Sequence, residues 1–266
     1  MLIGPNLALS NRTLRKGGGV FYDADAAAFF ARAAGAGVEP DTTRKTAIDT
    51  LIIALKAAGT WGLRDWYHFI GANATITGLN WRSSSHTLTP VNSPSFVADR
   101  YYLADGASSY LNINAVRNAL TYFQQNSANL AAWETDNIGD NSALVGTSGA
   151  GFIARLAPRR STDVVQHRIN DTASLGSSVT SSIGWNSVNR SGASARQARQ
   201  NNTELGADGV TSAALGTEVM YYLRDGTQYS TRRWAGGAGG GSLTLAQHQA
   251  EYAAILTYMQ TIGAAP

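Results

Sequence analysis

Toward the C-terminal end, Leu245, His248, Tyr252, Ile255, Leu256, Met259 and Ile262 recur at steps of three and four, the spacing of one apolar helical face. Thr244 and Gln247 stand at the distance of a capping box, Leu243 can pack on His248 as a staple, and Gly263 supplies the stop. The same period appears earlier, where Ile48, Leu51, Ile52 and Leu55 mark a helix opened by Pro40 and Asp41, capped by Asp41 or Thr42 and ended by Gly59. Before it, Asp23 or Asp25 can cap a short alanine-rich helix carrying Phe29 and Phe30 and closed by Gly35 and Gly37. Trp61, Trp66, Tyr67 and Phe69 follow, enough aromatic area to seat this helical pair on a larger body.

From residue 70 the period shortens. Runs of β-branched and aromatic residues, partly alternating, are separated by Gly, Ser, Asn and Asp. They predict strands over Thr75–Trp81, Ser95–Tyr102, Tyr110–Ile113, Asn129–Glu134, Ala143–Gly146, Gly151–Leu156, Val164–Ile169, Ser182–Asn186, Ala193–Arg199, Glu218–Arg224 and Tyr229–Trp234. Asp225-Gly226 is a hairpin signal between the last two. The expected fold is mainly β: an antiparallel two-sheet jelly-roll sandwich with an N-terminal helical pair and a C-terminal helix packed on it. The division expected is an arm over 1–20, a helical lead-in over 21–69, the sandwich over 70–241 and the closing helix over 242–266. Lys16-Gly-Gly-Gly19 reads as a joint, and Gly236–Gly241 as a flexible hinge to the last helix.

Composition narrows the function classes. With 266 residues, 28 glycines and 15% charged residues, the chain suits many short strands joined by turns. No cysteine means no disulfide and no thiolate metal site. The 21 basic residues, 18 of them arginine, stand against 18 acids for a net charge of +3, and no basic run exceeds two, which argues against direct nucleic-acid binding. No stretch reaches the ~18 apolar residues of a membrane span, and the first ten residues are too short and too polar for a signal peptide.

Phe21-Tyr-Asp-Ala-Asp-Ala-Ala-Ala-Phe-Phe30 followed by Thr46-Ala-Ile-Asp-Thr-Leu-Ile-Ile-Ala-Leu-Lys-Ala-Ala-Gly-Thr-Trp61 resembles the helical lead-in of a bacteriophage virion protein family whose members carry a concanavalin A-like, or laminin G-like, jelly roll. The resemblance continues at Val91–Leu111, at Gln125–Leu130 and at Ser242–Gly263, leaving the arm outside it. It implies a virion structural protein without enzymatic activity, a tail or fibre component exposed on the particle surface, with a lectin-like domain that binds host-surface glycan; the alternative is a capsid decoration protein. Other virion proteins and further copies of the chain would then be its partners, and residues 1–20 its anchor.

Glu134 and Asp136 have the strand period of a glycosidase pair but lack a third acid, and read as a strand end entering a polar loop. Asp136, Asn137, Asp140 and Asn141 offer oxygen ligands for calcium without EF-hand spacing, so an Asx-rich turn without metal is preferred, and no cofactor is expected. His68, His86, His167 and His248 have no metal-ligand spacing, and His248 falls on the apolar helical face. Ser148 lacks the glycine two residues on that a nucleophile elbow requires, so Gly149 and Gly151 read as hairpin glycines. Arg159, Arg160, Arg190, Arg196, Arg199, Arg232 and Arg233, interleaved with Trp185, Tyr229 and Trp234, suit subunit contacts. If sugar is bound, Trp185, Tyr229 and Trp234 are the expected platforms, and catalytic residues are expected to be absent.

Overall fold

A computed structural model describes residues 20–148 and 154–265. The expected virion-anchoring arm over 1–20, all but its last residue, and the Gly149–Gly151 turn lie outside these residues. Three long helices form where the apolar period predicts them: α1 (Ala24–Gly35), α2 (Thr42–Ala57) and, later in the chain, α4 (Leu245–Thr261). Asp23, Asp41 and Thr244 cap them, and the Thr244–Gln247 capping box is complete. All three close alike, on a left-handed glycine: Gly37, Gly59 and Gly263 have φ of +75°, +68° and +76°. In each the next amide reaches back to a carbonyl of the last turn, as Ala264 N does to Met259 O at 2.7 Å. Leu245, expected on the buried stripe of α4, is instead 41% exposed, and Glu251 takes a fully buried position on that helix.

The strands in chain order are β1 (Arg64–Phe69), β2 (Thr89–Val91), β3 (Ser95–Val97), β4 (Tyr101–Leu103), β5 (Tyr110–Val116), β6 (Ala128–Glu134), β7 (Val145–Thr147) and β8 (Ala154–Ala157). They continue with β9 (Gln166–Ile169), β10 (Gly184–Gly192), β11 (Ala195–Gln200), β12 (Thr203–Asp208), β13 (Val219–Tyr222), β14 (Arg224–Asp225), β15 (Gln228–Tyr229) and β16 (Arg233–Gly240). The larger sheet runs β12-β11-β10-β6-β16-β4-β3, with β1 also paired to β16; the smaller runs β2-β5-β13-β7-β8-β9. Every pairing is antiparallel. The protein is therefore mainly β, a two-sheet sandwich with helices at both ends of the chain, as the sequence predicts.

Side-chain contacts order the layers. On β1, Trp66 donates to the Tyr222 hydroxyl of the smaller sheet at 2.8 Å, while Tyr67 bonds Glu251 of α4 on the opposite face. The larger sheet is thus sandwiched between the smaller sheet and the helices. Trp81 joins these layers, its ring 5.1 Å from Phe29, 5.0 Å from Phe69 and 5.2 Å from Tyr258, and one apolar cluster runs from Phe29 of α1 to Met259 of α4.

Four expectations are corrected. Gly236–Gly241 is no hinge: residues through Gly240 form the middle strand of the larger sheet, fully enclosed. A Cβ on Gly236 would meet Phe69 at 2.6 Å and one on Gly237 would meet Tyr222 at 2.5 Å; at Gly239 it would enter the Trp66 ring. The glycines are there for close approach of aromatic rings to the backbone. Thr75–Trp81 is not a strand; α3 (Ala74–Gly78), capped by Asn73, occupies most of it. Residues 64–69, placed in the helical lead-in, are a strand of the larger sheet buried on both faces. β12 has too little apolar alternation to be seen in the sequence, since it is a largely exposed edge strand.

Candidate functional site

Most of the charged residues singled out in the sequence turn out to be internal ties. Arg190 and Arg196 share the two oxygens of Asp171 at 2.5 and 2.7 Å, and Arg196 also reaches Asp208. Arg199 donates to Leu243 O at 3.1 Å, fixing the entry to α4. Arg232 bonds both oxygens of Glu134 (2.8 and 2.9 Å) and the carbonyls of Ser142, Ile138, Asp140 and Arg159. Arg190, Arg196 and Arg232 are 0% exposed and Arg199 4%, so these four are unavailable as subunit contacts; Arg159, Arg160 and Arg233 keep partly exposed positions.

The carboxylates follow suit. Glu134 is fully buried, and burial pushes its acid up to about 7 against the pull of Arg232. Asp136 pairs outward with Arg233 at 2.6 Å. The two therefore serve different partners and flank no cleft. Asp140 accepts from Ser142 N at 2.9 Å and Ser142 Oγ at 2.6 Å, an Asx turn that holds it below its ordinary range although burial opposes. Asp136 and Asp140, the two acids of the loop that offers oxygen ligands for calcium, are thus engaged separately, and among the described residues no group of three or more His, Asp or Glu could hold a metal ion. Burial, which disfavours the charged ring, holds the pKa of His68 and His167 down to about 3 and of His248 down to about 4. His248 Nε2 donates to Asn201 O (2.8 Å) and its Nδ1 faces Ser187 Oγ (3.4 Å) as acceptor, a core role. Ser148 Oγ accepts from Val219 N at 2.9 Å, within the smaller sheet.

Of the expected sugar platforms, Trp185 and Trp234 are 0% exposed and belong to the core. Tyr229 lies elsewhere. It lines an open cavity of about 400 Å³ together with Gly106, Ala107, Asp140, Asn141, Ser142, Thr227 and Gln228. Two turns build this site. Gly106 takes φ +73° in a loop where Asp105 accepts from the amides of Ala107, Ser108 and Ser109 at 2.8–2.9 Å. The predicted Asp225-Gly226 turn joins β14 to β15, with Arg224 directly opposite Tyr229. Leu223, at φ +62°, is the pivot: a bulky residue rarely takes this conformation, and here it swings the hairpin off β13.

The hairpin folds over the outer face of the smaller sheet, where Asp225 covers Gly146 and ion-pairs with Arg155 at 3.2 Å. Burial pushes the Asp225 acid up to about 6. Arg224 enters a cluster of three tyrosines, its guanidinium carbon 4.4 Å from the ring centre of Tyr110, 4.7 Å from Tyr221 and 5.2 Å from Tyr229. Residue type alone pointed to Tyr229; Arg224, Tyr110 and Tyr221 carried no sequence signal, because only the hairpin and β5 bring them together.

A larger groove, about 600 Å³, runs between α2 and α4. Its lining has no charged side chain, and the hydroxyls of Thr46, Thr257 and Thr261 turn back to carbonyls of their own helices. It lacks convergent polar groups, so the cavity at Tyr229 is the better candidate.

No protein-family model and no curated protein matches this chain. Solved structures show the same fold at low identity. A Trypanosoma rangeli sialidase, solved with 2,3-difluorosialic acid, aligns at a TM-score of 0.55 and 11% identity over 72% of this chain and 33% of its own. Domain 4 of AbnA, an extracellular arabinanase of Geobacillus stearothermophilus solved with arabinotriose, aligns at 0.51 and 9% over 71% of this chain and 98% of its own. The binding domain of botulinum neurotoxin serotype D aligns at 0.51 and 8% over 72% of this chain and 52% of its own. The chain thus spans about a third of the sialidase and nearly all of the arabinanase domain. These likenesses define the class: a mainly β, two-sheet sandwich shared by proteins solved with saccharides and by a toxin binding domain.

Proposed function

We propose that this chain is a glycan-binding virion surface protein of a bacteriophage, a tail or fibre component that binds sugar without cleaving it. The observation that carries the binding function is the Tyr229 cavity, an aromatic ring beside convergent polar groups at the mouth of a rigid sandwich. Its fit to the fold's neighbours supports the reading, since the arabinanase domain of matching extent was solved with a trisaccharide. The lack of hydrolysis rests on Glu134, which is sealed against Arg232 and, among the described residues, faces no second carboxylate across a cleft. The virion setting rests on the sequence resemblance of residues 21–263.

Tyr229→Ala tests the binding function. A glycan array probed with the intact chain should give defined positive spots, and the variant should lose ten-fold or more in affinity for them with an unchanged circular dichroism spectrum. A blank array for the intact chain would refute it, and release of reducing sugar from a bound glycan would refute the absence of catalysis. Immunogold labelling of the particle tests the setting: gold on tails or fibres is expected, and unlabelled particles would exclude it.

A further inference from the structure

Arg224, which stacks on the Tyr229 ring beside the cavity, has no anionic partner among the described residues. Its Nε donates to Gly226 O at 2.9 Å, and its two terminal nitrogens meet no hydrogen-bond or ion-pair partner among the described residues. The three tyrosine rings hold it in place while leaving its fork unused. Arg155 and Arg168 stand directly opposite each other on β8 and β9, an unfavourable like-charge pair, and the field of Asp225 falls on both. Across the cavity, Asp140 is already engaged by Ser142 and by Thr231 Oγ1 at 3.3 Å. A site with an aromatic face, polar amides and an unmatched guanidinium fork is complementary to a sugar that carries a planar anion.

We infer that the ligand is an acidic glycan, a saccharide bearing a carboxylate, which stacks a ring face on Tyr229 and sets its carboxylate on the terminal nitrogens of Arg224. This rests on the glycan-binding reading above and narrows it to a substrate class. A nucleic acid also offers anions and rings. The cavity is a local depression, however, lined by no arginine and flanked by Arg224 across Tyr229, not a groove tracking a phosphate backbone.

The test uses ligand pairs that differ only in charge, titrated calorimetrically into the intact chain: 3′-sialyllactose against lactose, and trigalacturonate against its methyl ester. The acid of at least one pair should bind ten-fold or more tighter than its neutral partner, with the difference shrinking as salt rises. Arg224→Gln should abolish the difference, bringing the acid to the affinity of its neutral partner. Equal affinity within both pairs overturns the inference but leaves glycan binding standing. Binding to none of the four, with a blank array, removes glycan binding itself and this inference with it. Tighter binding of oligo(dT) than of any sugar, lost in Arg224→Gln, also overturns it. The methyl ester arm requires no variant, so misfolding of Arg224→Gln cannot protect the idea.

Discussion

Arginine is the residue on which this structure turns. Arg64, Arg117, Arg190, Arg196 and Arg232 are all 0% exposed, each with its fork spread over carboxylates, amides or carbonyls. Scattered along the chain they look like solvated surface charge, because a guanidinium's partners lie far off in sequence: 98 residues separate Arg232 from Glu134. Such a tie is weak evidence for stability, since desolvation offsets much of the attraction. His167 shows the cost of a poorly paired buried polar group, as neither ring nitrogen makes a well-aligned hydrogen bond among the described residues and the backbone of Gln166 gives only a partial one. His167→Leu removes both at similar volume and should raise stability by about 1–3 kcal/mol in urea denaturation. A drop would show that the ring holds a hidden partner.

Among elements, helices were the most legible. Asp41, Gly59, Thr244, Gln247 and Gly263 are local signals, and each does in the structure what its chemistry dictates. β16 was illegible, because glycine chosen for close approach is indistinguishable in sequence from glycine chosen for mobility. Gly239→Ala separates the two: a methyl group driven into Trp66 should cost more than about 3 kcal/mol or prevent soluble expression, whereas a hinge would tolerate it. Buried polar pairing also hid part of α4. Glu251 interrupts the apolar stripe, yet accepts from Arg64 Nε and Nη2 at 3.0 and 2.5 Å and from Tyr67 at 2.7 Å. Removing one partner strands the other, so Glu251→Ala should cost about 3–5 kcal/mol, and Arg64→Met combined with Glu251→Leu should recover most of it. Additive losses in this cycle would contradict the coupling. The candidate cavity was least legible of all, since Tyr229, Asp140 and Gly106 converge only after both sheets have formed.

For the whole molecule, titration links these sites. His68, His167 and His248 are held well below 6.5, so the folded chain resists protonation, and their stabilisation, present above pH 6.5, is lost as pH falls toward 4 and 3. Glu134 and Asp225 act oppositely: raised to about 7 and about 6, they add stability below their unfolded values near 4.5 and 3.8 and lose it as pH rises through their folded ones. Three groups against two give a shallow decline between pH 6.5 and 4.5 and a steeper one below, where the acids no longer compensate. Urea midpoints across that range should show the bend, and Glu134→Gln should steepen the upper limb. A monotonic gain of stability toward acid would contradict the histidine assignment.

The position of β16 has a consequence for biosynthesis. It fills the middle of the larger sheet, paired along one edge with β6 and along the other with β1 and β4, yet it is translated after every other described strand of that sheet. Until Gly240 has left the ribosome, the nascent chain carries two unfinished half-sheets whose facing edges have nothing between them. Unsatisfied edges of this kind invite pairing with other chains. The hazard to a newly made copy is thus concentrated in the interval before its glycine-rich centre emerges.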